Sequence, residues 1–228
     1  MMASSSPRKM PRRQCAQQIV GVIFSLRDMR RAIRLRRPPD FFELRLDALV
    51  RHLDEIETTE FPAPLILTAR DPREGGVNNL ATRARRDLLL RFLPRAHSID
   101  IELRSARAFF SILDLARARN IQRIISLHDF RETPPIFRLH KKALAAQEFG
   151  ADIFKVVTRT DTSRQLNRLL GFYDSARMPV AAMGLGRFGR AARRGLIQRG
   201  SVLNYAHLGD TRIAGQPSLS DIRHWMIR

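Results

Sequence analysis

Residues 41–47 read Phe-Phe-Glu-Leu-Arg-Leu-Asp, and the order of charged and apolar residues in this stretch decides the fold. In an extended strand successive side chains point to opposite faces. Glu43, Arg45 and Asp47 therefore share one face, and Leu44 and Leu46 the other. The split recurs downstream. Thr68 and Arg70 oppose Leu67 and Ala69; Asp100 and Glu102 oppose Ile99, Ile101 and Leu103; Ser126 and His128 oppose Ile125 and Leu127. A structural ion pair explains one inward charge. Four such strands in succession require a shared polar interior in which opposite charges meet.

Working outward, eight short apolar runs carry strand character: Ile19–Phe24, Phe41–Arg45, Leu65–Ala69, Ser98–Leu103, Arg123–Leu127, Ile153–Val157, Val180–Met183 and Ser201–Tyr205. Helical patterns lie between them, one ending at Pro38–Pro39, one starting near Ser105, one over Arg138–Phe149 and one beginning around Ser163. Eight strands alternating with helices in 228 residues predict an α/β fold, a single (β/α)8 TIM barrel, with an open doubly wound sheet as the alternative. The polar faces then line the barrel interior near the C-terminal strand ends, where such barrels hold their chemistry. The domain reading is a basic, disordered leader over 1–17 and one barrel domain over 18–228.

Composition narrows the function. The chain has 41 Lys+Arg against 22 Asp+Glu, a formal +19, yet only four of the basic residues are lysines: Lys9, Lys141, Lys142 and Lys155. The arginines decorate nearly every helical pattern and few aromatics accompany them. That favours solvated helix faces over an RNA-binding footprint. One cysteine, Cys15, excludes an internal disulfide framework and multi-cysteine metal sites. The sequence points to no metal and no cofactor. No apolar run reaches the roughly 18 residues of a membrane span, so neither a membrane nor a nucleic acid is an expected partner, and a cytoplasmic location is expected.

Against this arginine background Lys155 stands out in the apolar run Ile153–Val157. A lysine there either snorkels outward or is buried. Burial among apolar groups would lower its pKa from about 10.4 toward 7–8 and make it an imine-forming nucleophile. His128, one strand earlier, is either a hydrogen-bonded structural residue or a general acid–base. Glu74 in the loop Thr68–Gly76 is within reach as a partner to orient that ring. The stretch Gly184-Leu-Gly-Arg-Phe-Gly189 has the spacing of a phosphate-binding turn, but a tight strand-to-helix turn explains it equally.

Taken in order, the segments ELRLD (43–47), LTARDPREGG (67–76), IDIEL (99–103), SLHDF (126–130), GADIFKVV (150–157), PVAAMG (179–184) and GSVLNY…AGQ (200–216) resemble type I 3-dehydroquinate dehydratase, an imine-forming barrel enzyme of the shikimate pathway. The resemblance spans about residues 19–217. It implies the substrate 3-dehydroquinate, a Lys155 imine, His128 as acid–base and Glu74 as its positioning group. It also implies substrate binding by Glu43, Arg45, Arg70 and Gln216, packing by Phe130, Met183 and Tyr205, and a homodimer. An arginine after strand seven would hold the substrate carboxylate; Arg193 fits the spacing, with Arg190 as the other register. Arg212 stands where the family carries a small hydroxyl residue, and Ser25 is the candidate hydroxyl ligand on the first strand. The competing functions are a phosphosugar aldolase-like imine enzyme and an Arg-rich RNA-associated protein on a degenerate barrel.

Overall fold

A computed structural model describes residues 16–209 and 215–227. Strands β1 (Gln18–Ile23), β2 (Phe41–Arg45), β3 (Leu65–Thr68), β4 (Ala96–Glu102), β5 (Gln122–Asp129), β6 (Ile153–Arg159), β7 (Val180–Leu185) and β8 (Leu203–His207) form one sheet. Helices α1 (Leu26–Ala32), α2 (Leu53–Thr58), α3 (Thr82–Phe92), α4 (Phe110–Ala118), α5 (Ile136–Glu148), α6 (Ser163–Ser175), α7 (Gly189–Gln198) and α8 (Leu219–Met226) alternate with them. Each strand from β1 to β7 pairs in parallel with the next in sequence, as far as β7, and β8 pairs in parallel with β1. This is the (β/α)8 barrel expected from the strand rhythm, not the open sheet.

The barrel is not laddered all the way round. At the seam between β7 and β8, Val202 N–H donates to the Val180 carbonyl at 3.2 Å. The Ala182 N–H turns instead to Ser201 Oγ at 3.2 Å. A serine hydroxyl thus satisfies a buried amide that would otherwise need a partner strand.

Two apolar layers follow from the period-2 alternation. Phe42, Leu44 and Leu46 join the layer between sheet and helices, together with Leu67, Ile99, Ile101, Ile125, Phe154 and Val156. Phe41, Ile66, Ile124 and Ile153 point inward and plug the barrel. Above this plug the inward positions become charged, and Glu43, Asp100 and Lys155 are nonetheless each under 5% exposed. The bottom of the barrel supplies hydrophobic burial and the top supplies a polar chamber.

Two helix boundaries differ from the sequence expectation. The helix expected to run to Pro38–Pro39 ends at Ala32. The helix expected near Ser105 begins at Phe110, because Ser105 Oγ is engaged by Arg85 Nη1 at 3.3 Å and does not cap α4. Residues 1–15 of the expected leader, Cys15 among them, lie outside the described residues, as does Arg212.

Candidate active site

The chamber opens on a cavity of about 420 Å³ whose wall includes Glu43, Arg70, His128, Lys155, Arg193 and Tyr205. Arg45, Glu74, Phe130, Met183 and Gln216 also reach it, so the catalytic and substrate-binding residues expected from sequence, Ser25 apart, border one space. Period-2 alternation accounts for this convergence. Glu43 and Arg45 follow the inward Phe41, and Lys155 follows the inward Ile153.

Lys155 Nζ donates to Asp100 Oδ2 at 2.8 Å and to Glu43 Oε1 at 3.1 Å, and it sits 3.9 Å from the centre of the Tyr205 ring. The lysine is buried, but not in the apolar surroundings that its flanking residues suggested. Phe154 and Val156 face the helices, so the amine meets only what the neighbouring strands turn inward. Asp100, which the sequence placed on the polar face without a role, is the hub. It also takes both terminal nitrogens of Arg70, at 3.0 and 2.9 Å, and the Ser126 hydroxyl at 2.6 Å. Burial pushes the Asp100 carboxyl up, but Arg70 and Lys155 outweigh it and hold the group well below the usual carboxylate range. Burial likewise opposes the Arg70 charge, and Asp100, Glu102 and Glu43 more than restore it.

Arg45 grips Asp47 through a two-pronged contact, Nε to Oδ1 at 2.9 Å and Nη2 to Oδ2 at 2.8 Å, and donates to the Gly75 carbonyl at 3.0 Å. Burial raises the Asp47 carboxyl, but this fork and the backbone N–H groups of Val77 and Arg70 leave it lowered. Arg45 is thereby fixed against the loop that carries Glu74.

That loop is built locally. Asp71 caps a single 3-10 turn over Pro72–Glu74 by accepting the Arg73 N–H at 2.9 Å, and Gly75 ends it at φ 85°. From behind, Arg85 of α3 donates to the Ala69 carbonyl at 2.7 Å and to Asp71 Oδ2 at 3.0 Å, and pairs with Glu102. The sequence reading put the α3 arginines on a solvated face; Arg85 is instead only 2% exposed. The turn carries Glu74 Oε2 to 3.0 Å from His128 Nδ1 and 2.8 Å from the His128 backbone nitrogen, whose N–H it accepts. Burial pushes the Glu74 carboxyl up to about 7. Burial, then the charges of Arg70 and Lys155, hold His128 well below the ordinary histidine range. The ring is therefore a neutral imidazole at pH 7, able to accept a proton on the nitrogen not turned to Glu74.

On the opposite wall Arg193 is 5% exposed and has only carbonyl partners, Gly184 O at 3.1 Å and Tyr205 O at 3.5 Å. No carboxylate pairs with it among the described residues. Burial alone lowers its pKa to about 10, which still leaves a cation at pH 7. Arg190, the other register, faces away and pairs with Asp221 at 2.7 Å over the Trp225 ring.

Two sequence candidates are displaced. Ser25 Oγ donates to Asp28 Oδ2 at 2.8 Å and accepts the Asp28 N–H at 3.2 Å as the cap of α1, and it is Asp28 that borders the cavity. The glycine-rich turn after β7 is already filled. Arg187 N–H donates to Asp161 Oδ1 at 2.8 Å, and a Cβ on Gly186 would lie 2.0 Å from that same oxygen. A carboxylate of the chain occupies the place a phosphate would take. Sequence reasoning also missed His207, because the last strand was expected to end at Tyr205; β8 runs two residues further and adds one more inward position.

The type I 3-dehydroquinase family pattern matches residues 22–226. The 3-dehydroquinate dehydratase of Pyrococcus abyssi is 30% identical over 186 residues, covering 81% of this chain and 85% of that protein. The 3-dehydroquinate dehydratase of Aromatoleum aromaticum is 30% identical over 202 residues, covering 81% and 78%. Among solved structures, the type I 3-dehydroquinate dehydratase of Clostridium difficile superposes with a TM-score of 0.80 at 20% identity, over 92% of this chain and 91% of that one.

Proposed function

The chain belongs to the type I 3-dehydroquinase family, and from that premise we propose that Lys155 carries its dehydration of 3-dehydroquinate to 3-dehydroshikimate through an imine. The activity is that of a hydro-lyase. The observation that carries the assignment is the convergence of Lys155 and His128 on one enclosed cavity.

The Lys155 amine adds to the C3 carbonyl carbon, and the resulting carbinolamine loses water to give a protonated imine. Glu43 and Asp100 contact Nζ. The two carboxylates lie against the positive charge the iminium carries, so the covalent step leaves no uncompensated charge. The iminium withdraws electrons from C2. The free nitrogen of His128 takes a C2 proton, and the electron pair passes into an enamine. The enamine then expels the C1 hydroxyl, which leaves as water with the proton His128 has gained. A second water hydrolyses the conjugated imine, releasing 3-dehydroshikimate and the free lysine. One water is lost overall.

Glu74 fixes the His128 ring so that its other nitrogen faces the substrate. Arg193 binds the substrate carboxylate; a buried guanidinium without an acidic partner is the chamber's available anion site. Arg45, Arg70 and Glu43 hold the ring hydroxyls, Gln216 closes over the ligand, and Phe130, Met183 and Tyr205 pack against it. We assign the barrel domain to residues 18–228, acting as a cytoplasmic homodimer. Light scattering on the purified protein tests the dimer, and no helix among the described residues is long and apolar enough to cross a membrane.

Borohydride reduction in the presence of 3-dehydroquinate, followed by peptide mass mapping, tests the chemistry. A stable adduct on Lys155 is expected. Turnover without any adduct would remove the imine from the mechanism.

A further inference from the structure

Strand β8 turns two side chains into the cavity, Tyr205 and, one period further toward the mouth, His207. Neither ring nitrogen of His207 has a hydrogen-bond partner among the described residues, and its Nδ1 is sealed from solvent. The backbone there is fixed on both sides. His207 N–H donates to the Pro217 carbonyl at 3.0 Å, and the residue pairs with Val22 of β1 across the sheet. The residue is therefore anchored in the wall, with its side chain on the cavity side of the strand.

An orphaned buried N–H is costlier than an orphaned buried lone pair. The favoured tautomer therefore leaves Nδ1 bare and carries its hydrogen on Nε2, the nitrogen left for a ligand. A donor in a chamber wall calls for an oxygen acceptor. Arg193 lines the same cavity, and its Nη1 reaches the Tyr205 carbonyl, two residues before His207, at 3.5 Å. Guanidinium and imidazole thus occupy the β7–β8 side of the cavity, whereas Glu74 and His128 come from the loop after β3 and from β5.

We propose that His207 is a substrate-binding residue whose Nε2–H donates to the carboxylate held by Arg193. This rests on the reading of Arg193 given above and adds to it a neutral donor that complements the guanidinium. A contact made equally in ground and transition states governs KM more than kcat.

The test compares His207→Phe, which keeps a flat ring without donors, with His207→Gln, which keeps a polar head at the reach of Nε2. For 3-dehydroquinate, His207→Phe is expected to raise KM about tenfold with kcat within about threefold, and His207→Gln to bring KM back within about threefold of the parent. The Lys155 adduct with borohydride should form in all three proteins at saturating substrate. A carboxamide analogue of the substrate should bind more weakly than 3-dehydroquinate to the parent, and His207→Phe should weaken its binding by less than twofold further. An unchanged KM in His207→Phe, a KM in His207→Gln as high as in the phenylalanine variant, or additive losses with the carboxamide would each overturn the proposal. Loss of the Lys155 adduct in the parent protein would instead strike the imine reading and leave the His207 comparison of KM values standing by itself.

Discussion

One carboxylate oxygen, Glu74 Oε2, serves His128 twice: it lies 3.0 Å from the ring nitrogen Nδ1 and accepts the backbone N–H of the same residue at 2.8 Å. The double contact fixes both where the ring sits and which nitrogen faces the cavity. It also keeps a carboxylate in a place where burial raises its pKa to about 7. Between the ordinary value near 4.5 and 7, the folded chain holds a proton that the unfolded chain has released. Glu74 therefore costs stability as pH rises through that window, and the cost is complete above it.

Glu74→Gln removes that cost while keeping an acceptor for the backbone N–H. Its stability relative to the parent should improve by about 2 kcal/mol between pH 5 and pH 8, read from urea unfolding at both values. Turnover should fall about 10- to 100-fold, because the carboxylate no longer supports the histidine cation formed in proton transfer. A stability gap that does not change with pH would contradict the raised pKa.

Replacing Lys155 with Met should abolish the borohydride adduct and lower kcat by about a thousandfold or more. Asp100 keeps its two contacts to Arg70 in that variant, at 3.0 and 2.9 Å, so the fold should survive. Circular dichroism checks the fold, and single-turnover assays check the chemistry.

On the proposed function, Arg193 is held for the ligand at the free protein's expense, since a buried cation with no carboxylate partner among the described residues is costly. Arg193→Met should raise the melting temperature of the free protein, by about 1 kcal/mol in free energy, and raise KM at least about 50-fold. The net gain is small because the Gly184 and Tyr205 carbonyls lose a donor. A lower melting temperature with unchanged KM would show that this arginine serves structure alone.

Arg85 touches nothing in the cavity, yet it pairs with Asp71 and Glu102 behind the Glu74 loop. Arg85→Met leaves both carboxylates without that partner and should cost about 3–5 kcal/mol in urea unfolding. The loss of activity in surviving folded protein should be rescued in part by Arg85→Lys, which restores the charge but not the fork.

Much of this was legible in the sequence. Strand β2 runs Phe41–Arg45 as its pattern dictates, because a period-2 pattern with one apolar face has a single register that buries it. The inward set of Glu43, Arg70, His128 and Lys155 follows from the same rule applied to β2 through β6. The closing end of the barrel was read less well. The expected last strand stopped at Tyr205, and Asp28 was given no role, so two polar residues of the cavity wall went unassigned.

The sequence by itself determined the fold class, the rhythm of strands and the polar faces they turn inward, because alternation and turn chemistry are local properties of the chain. The tertiary structure decided the partners. It set Asp100 between Arg70 and Lys155, turned Arg193 inward and Arg190 outward, buried Arg85 among carboxylates, and filled the glycine turn with Asp161. Which charge meets which across a barrel depends on strand stagger and helix packing between residues far apart in the chain. The basic excess shows the same division: composition counts the arginines, and only the fold separates those on the surface from the few buried inside.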